Sequence, residues 1–396
     1  MPIVALIFVF YFGFWVGLRV GANSTPPAYI KNARENMPSS VDFSLFWQTW
    51  NKTRELYIGN SDPEEMVYGA ISGMVSALGD PYSAFLKPRD NEKLSQDLSG
   101  QFDGIGAELT MQNGQIVVVA PLSGSPAEKA KIKPKDIIIE IDGADTVDMT
   151  LNQAVDKIRG VAGTQIKLKI VRQGSDGPLE FSVTRENIKV ESATYNVENY
   201  SGKKIAILKV SQFGDDTVFL AEKFANQARS DSVSGIVLDL RNNPGGYLDS
   251  SVQFSGIFLE KGKVVTIEVD KKGAKKEYKT DNDPIIKNLP LVVLVNDGSA
   301  SAAEIVAGAM RDYGRAETIG VKTFGKGSVQ ALEPLPGGAA LKITIAKWLT
   351  PNGTEINSKG IVPGIEIKLS DDDRNKNLDP QMDKAKERVF YKINHP

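Results

Sequence analysis

Asn296–Gly308 reads NDGSASAAEIVAG, and the rest of the chain is understood according to how its two serines are read. The stretch follows a continuous apolar run, PLVVLV at Pro290–Val295, and leads into an apolar-periodic segment through Tyr313. That order predicts strand, turn and helix. Ser301 stands three residues ahead of Glu304, the S-x-x-E spacing of a capping box, which satisfies orphan amides at a helix start. The same position suits a nucleophile, because a helix start also offers amides to an oxyanion. Taken alone the segment favours the cap, since capping boxes far outnumber nucleophiles.

Composition limits what chemistry Ser301 could perform. The chain has 396 residues, enough for two or three domains. Its 47 basic and 49 acidic residues nearly balance, giving no reason to expect nucleic acid as a partner. Cysteine is absent, which excludes disulfides, thiolate metal sites and cysteine nucleophiles. The single histidine, His395, lies one residue from the C-terminus, so a histidine triad or histidine metal site is not expected. No metal and no cofactor is called for. An activated Ser301 must take its base from a lysine, a carboxylate or a terminal amine.

Met1–Leu18 carries no charge and is just long enough to span a membrane, so residues 1–22 are read as a membrane anchor or a signal sequence, the uncleaved anchor preferred. Arg19, Lys31 and Arg34 follow it and, counted alone, favour keeping that side cytoplasmic. Residues 23–99 read as a linker and an N-terminal helical region, with helical spacing at Phe43, Phe46, Trp47 and Trp50 and again at Met66, Ile71, Met74 and Leu78. The turn GDPYSAFL, Gly79–Leu86, closes it. Residues 100–186 change to short β-like runs around one helical segment, Thr150–Ile158. In FDGIGAEL, Phe102–Leu109, glycines before a strand can turn amides inward as a carboxylate nest, and a strand beside a helix groove can take an extended peptide. Residues 187–370 alternate apolar strands (Lys204–Val210, Gly235–Leu240, Pro290–Val295) with helix-like stretches, the pattern of α/β layers. Residues 371–396 are a charged helix or tail, either solvated or used in assembly.

Two further stretches bear on chemistry. NPGGY, Asn243–Tyr247, sits between a buried strand and the next helix, where paired glycines let amides face a ligand. TFGKGSVQ, Thr323–Gln330, sets Lys326 between glycines, and in a strand Lys326, Ser328 and Gln330 would share a face. A lysine base must be unprotonated, so its pKa has to fall from about 10.4 to roughly 7–8.

The span 100–186, with GIGAEL, SPAEKAKIKPKDIIIEIDG and LNQAVDKIRG, resembles a PDZ domain. The resemblance implies capture of a protein's free C-terminus, with Ile105, Gly106 and Ala107 at the carboxylate, Leu151, Val155 and Ile158 facing the tail, and Arg159 placed to sense it. NDGSASAAE, LRNNPGG, KTFGKGSVQ, GDPYSAFL, TPNGTEINSKGIVPGI and DPQMDKAKE together resemble the C-terminal processing peptidases, or tail-specific proteases. That resemblance implies Ser301 as nucleophile, Lys326 as general base and Gln330 as its orienting partner. Amides of Ala302 and of Gly245 or Gly246 would form the oxyanion hole. The implied fold is multidomain α/β, a crotonase-like protease core carrying an inserted PDZ domain. Implied partners are protein substrates with free apolar C-termini, a regulatory adaptor and the membrane, with self-association left open. The implied place is the cell envelope, with the protease on the extracytoplasmic, periplasmic side. Gly364 stands where the family usually has an acidic residue. Two other readings stay open: a non-catalytic scaffold that binds C-termini, and an acyl-CoA enzyme of the related crotonase-like architecture.

Overall fold

The computed structural model describes residues 41–395 apart from 371, 374, 375 and 377. The apolar stretch read as an anchor lies outside the described residues, and among those described no helix is long and apolar enough to cross a membrane. The chain parts into two units at Gly69 and Ala70. In the first, the helix Ser44–Leu56 buries no residue, and Phe46, Trp47 and Trp50 pack on one another, with the Phe46 and Trp47 rings 5.0 Å apart.

In the second unit the α/β part is built on a six-stranded sheet. Lys203–Val210, Gly235–Asp239, Leu291–Val295, Glu317–Gly320 and Ile365–Glu366 run parallel in that order, and Ala193–Tyr200 adds an antiparallel edge. Gly235–Asp239 and Leu291–Val295 are buried at every residue, as continuous apolar runs in a sheet covered on both faces must be. Alternate residues point to opposite layers. Ile236, Leu238, Leu291, Val293 and Val295 pack beneath the helices Thr217–Ser230, Leu248–Ser255 and Ala302–Asp312. Val237, Val292, Leu294 and Ile319 pack under Ala385 and Val389 of the C-terminal helix Pro380–Asn394. That charged C-terminal segment is therefore a structural layer, and a β-carbon on Gly235 would lie 2.4 Å from Val389. Arg241 fastens it, bonding Asp239 within its own strand end and Asp379 at the helix cap, at 2.7 and 2.9 Å.

A second, antiparallel sheet joins Ala84–Leu86, Ala340–Leu349, Val264–Asp270 and Lys275–Lys279, with Ser328–Pro334 also paired to Ala340–Leu349. The remaining part, inserted ahead of the core, is an antiparallel sheet ordered Ala107–Gln112, Gln115–Pro121, Ile137–Ile141, Gln165–Val171, Leu179–Thr184. The helix Leu151–Ile158 carries a capping box at Thr150 and Gln153 and buries Ala154 and Ile158 in this module's core. Entering and leaving segments, Gln101–Gly104 and Glu186–Lys189, pair as a two-stranded stem. Buried Arg185 donates to the carbonyls of Lys157 and Ile158, closing the helix end.

Candidate active site

The first serine of the opening stretch is structural. Ser299 is fully buried, donates to the Leu240 carbonyl at 2.8 Å and accepts the Asn296 amide at 2.9 Å, fixing the turn. Ser301 differs: it stands at the N-cap of Ala302–Asp312 with φ 53° and ψ −116°. A β-carbon disfavours that region, so surrounding contacts must hold it there. Three do. Glu304 Oε2 accepts the Ser301 amide at 2.9 Å, the glutamate half of the expected capping box. The backbone of Gly245 abuts from the other side, where a β-carbon would lie 2.7 Å from that of Ser301. Ala300 donates to the Asn243 carbonyl at 2.9 Å.

The NPGGY turn is folded by its asparagine. Asn243 is buried, donates to the Val210 carbonyl at 2.9 Å and accepts the Gly245 amide at 2.9 Å. Phe213 pairs with the turn, donating to the Gly245 carbonyl and accepting the Tyr247 amide. With φ of 105° and 139°, Gly245 and Gly246 occupy conformations open to glycine alone. Of the two, Gly245 has its amide engaged, whereas those of Gly246 and Ala302 donate to nothing among the described residues.

Glu304 joins the serine to the lysine. The carboxylate is buried and accepts four donors: Thr323 Oγ1 at 2.5 Å and the Gly325 amide at 2.7 Å on one oxygen, the Ser301 and Lys326 amides at 2.9 Å each on the other. The two backbones thus meet at a single atom. Glycines flank Lys326 because the loop after Thr350 lies against it: a β-carbon on Gly327 would sit 2.1 Å from the Asn357 amide nitrogen, and Ser358 donates to the Gly325 carbonyl. Burial pushes the Lys326 amine below its ordinary pKa, and the charge of Lys342 pushes the same way, against an opposing pull from Glu304. Among the described residues its Nζ makes no hydrogen bond or ion pair, and stands 5.5 Å from the centre of the Tyr82 ring.

Among the described residues Gln330 makes no hydrogen bond to that amine. Its Nε2 donates to Ser328 Oγ at 2.8 Å and Thr344 Oγ1 at 3.3 Å. The shared face expected from Lys326 to Gln330 begins only at Ser328, where the strand starts, and a register shift between Val329 and Gln330 breaks the alternation.

A separate cluster forms in the inserted module. Ala107–Gln112 is an edge strand beside the helix Leu151–Ile158. Leu151 and Val155 are half-buried on that helix, while Ile158 and the Ile105 side chain are buried. Leu122 donates to the Gly106 carbonyl at 2.9 Å, so the ladder closes beside the Ala107–Pro121 pair and leaves Ala107's own polar groups on the open edge. The amides of Ile105 and Gly106 donate to nothing among the described residues. Arg159, just past the helix, bonds Asp97 at 2.9 Å and lies over Phe102.

The sequence alone shows Glu304 only as a cap and marks no role for Asn243 or Tyr82. For Asn243 a signal existed, since Asn or Asp before a glycine pair commonly folds the turn with its side chain. For Tyr82 there was none.

Comparison with known proteins bears on each part. Residues 204–367 match Peptidase family S41, residues 95–171 the PDZ domain, and residues 11–89 the activating protease CtpB N-terminal domain. The carboxy-terminal processing protease CtpA of Bacillus subtilis (strain 168) is 36% identical over 329 residues, 83% of this chain and 70% of that protein. CtpB of the same organism is 39% identical over 318 residues, 80% and 65%. Among solved structures, a photosystem II D1 C-terminal processing protease superposes with a TM-score of 0.52 at 30% identity, covering 83% of this chain and 89% of that one. An S41 protease described as putative, from Bacteroides fragilis NCTC 9343, shares the fold with a TM-score of 0.58 at 15% identity, covering 90% and 92%.

Proposed function

Since this chain belongs to peptidase family S41 and is a C-terminal processing serine protease with a PDZ domain, we propose that Ser301 and Lys326 are its catalytic dyad and that the PDZ module captures the apolar tail of the substrate. The observation that carries the reading is the strained Ser301 backbone, held by the same Glu304 oxygen that holds Lys326. Strain of this kind concentrates where a side chain must be presented rather than packed.

In this reading Lys326 Nζ takes the proton from Ser301 Oγ as that oxygen attacks the scissile carbonyl. The resulting oxyanion lies against the free amides of Gly246 and Ala302, with Gly245 shaping the turn. When the C–N bond breaks, the ammonium returns its proton to the leaving amine, and water hydrolyses the acyl-enzyme by the reverse path. Gln330 orients the lysine only after a rearrangement that frees it from Ser328 and Thr344. The α/β core is read as crotonase-like. The substrate tail adds as a strand to Ala107–Gln112, its carboxylate held by amides of Ile105, Gly106 and Ala107 and its apolar side chains against Leu151, Val155 and the floor at Ile158. Residues 1–22 are read as a membrane anchor or signal sequence, with the protease on the extracytoplasmic side.

The test is mass spectrometry of a protein bearing an apolar C-terminal tail, incubated with the full chain and with Ser301→Ala and Lys326→Ala. Cleavage by the unaltered chain alone is expected. Cleavage undiminished in Ser301→Ala sinks the dyad, and tail binding without cleavage by any form favours a scaffold.

A further inference from the structure

The motif GDPYS, Gly79–Ser83, supplies none of the proposed dyad or oxyanion groups, yet it is built into the site. Asp80 accepts the Tyr82 amide at 3.2 Å and the Ser83 hydroxyl at 2.5 Å. Ser83 is buried and in turn accepts the Thr344 amide at 3.0 Å. Ala84–Leu86 then continues as a strand on Ala340–Leu349. The turn is thus bolted to the sheet that carries Gln330, and half-buried Tyr82 is the residue it holds over Lys326, with Nζ 5.5 Å from the ring centre.

We propose that Tyr82 is a positioning residue for the catalytic lysine, its ring face receiving the ammonium that forms when Lys326 takes the serine proton. The proposal rests on the dyad reading. A half-buried lysine works as a base because it is short of stabilising partners, but the same shortage opposes the ammonium it must become. The charged groups around it do not resolve this. Glu304, on the helix Ala302–Asp312, has its four acceptances filled by Thr323, Gly325, Ser301 and Lys326 backbone or hydroxyl donors. Lys342, on Ala340–Leu349, repels a second cation, and Asp80 is spent on Tyr82 and Ser83. An aromatic face within about 6 Å stabilises a cation without supplying a negative charge that would keep the amine protonated at rest.

The experiment is the pH dependence of kcat/KM for the full chain and its Tyr82→Phe and Tyr82→Leu variants, with KM and kcat separated and folding checked by Tm. Phenylalanine keeps the ring and should match the unaltered chain. Leucine should lower the plateau by about two- to thirty-fold, the range of a lost cation–π contact, through kcat rather than KM, and shift the acidic limb to lower pH. A merely structural role for Tyr82 would lower activity without moving that limb. If Tyr82→Leu does not fold, trifluorophenylalanine at position 82 keeps the shape while draining the ring face, and the same shift is expected relative to phenylalanine. A plateau and limb unchanged by leucine or by fluorination overturn the proposal, as does phenylalanine behaving like leucine. These outcomes are distinct from failure of the dyad, which would appear as cleavage by Ser301→Ala.

Discussion

Ser301 and Lys326 donate their backbone amides to one oxygen of Glu304, each at 2.9 Å. A buried carboxylate with four donors is satisfied only in its acceptor-only form, and an amide in its place would turn an N–H toward N–H groups. Glu304→Gln should therefore lower Tm by an amount equivalent to about 2–4 kcal/mol and depress cleavage by more than tenfold, since the frame of the dyad loosens. Thermal unfolding and tail cleavage measured together check this. Normal turnover in a folded Glu304→Gln protein would mean the shared oxygen is incidental.

The Lys326 amine is held below its ordinary pKa chiefly by burial. For activity the sign is direct: the base works unprotonated, so cleavage should fall as pH drops through its lowered pKa, with no effect of a chelator. For stability the sign is the reverse of that for a paired lysine. The unfolded chain binds a proton the folded site resists, so the amine destabilises the fold below the lowered pKa and ceases to do so above about 10.4. Lys326→Met should abolish cleavage yet raise Tm near neutral pH, by an amount equivalent to the roughly 0.5–2 kcal/mol of single stabilising changes. That advantage should fade as pH approaches 10.4. A Tm lowered at neutral pH would show that the amine is stabilised in the fold.

Gly245 has φ 105°, and a β-carbon on it would press on Ser301 at 2.7 Å and on the Ala300 carbonyl at 2.9 Å. Gly245→Ala should cost about 1–3 kcal/mol of stability and reduce kcat by at least about a hundredfold, because the displaced turn also moves the neighbouring Gly246 amide. Gly73→Ala, in the helix Pro63–Ser76 where a β-carbon meets nothing within 4 Å, is the control and should be neutral or slightly stabilising. Equal kinetics for the two variants would separate the NPGGY turn from the chemistry.

These effects bear on what could be read from residues alone. The parallel strands were legible because a sheet covered on both faces demands unbroken apolar runs, and Gly235–Asp239 and Leu291–Val295 are such runs. The antiparallel sheet was not: Lys275–Lys279 reads KKEYK and is mostly exposed at an edge, so it carries no apolar signature. The charged C-terminal segment hid a helix whose buried face is narrow, Ala385 and Val389 with Gln381. At the candidate site the capping spacing of Ser301 and Glu304 was visible, being local. The other partners of Glu304 lie 19 to 22 residues downstream, and no local pattern reports them. Alternation failed at Lys326 because the strand begins two residues later and is irregular at Gln330.

In the PDZ module, half-buried Val155 and buried Ile158 lie on one helix and should answer differently to substitution. If the tail lies between this helix and the edge strand Ala107–Gln112, Val155→Glu puts a charge where an apolar side chain of the tail would sit. It should weaken binding of an apolar C-terminal peptide by at least about tenfold while leaving folding stability within about 0.5 kcal/mol of the unaltered chain, as expected of a partly exposed site. Ile158→Ala should instead cost about 2–5 kcal/mol by opening a cavity beside Ala154 and Ile166. Amidating the peptide's C-terminus should weaken binding to the unaltered protein as well, since the free amides of Ile105 and Gly106 then meet no carboxylate. Calorimetric titration of acid and amide peptides into both variants separates the cases. Undiminished affinity in Val155→Glu, or no preference for the free acid, would place tail recognition elsewhere on the chain.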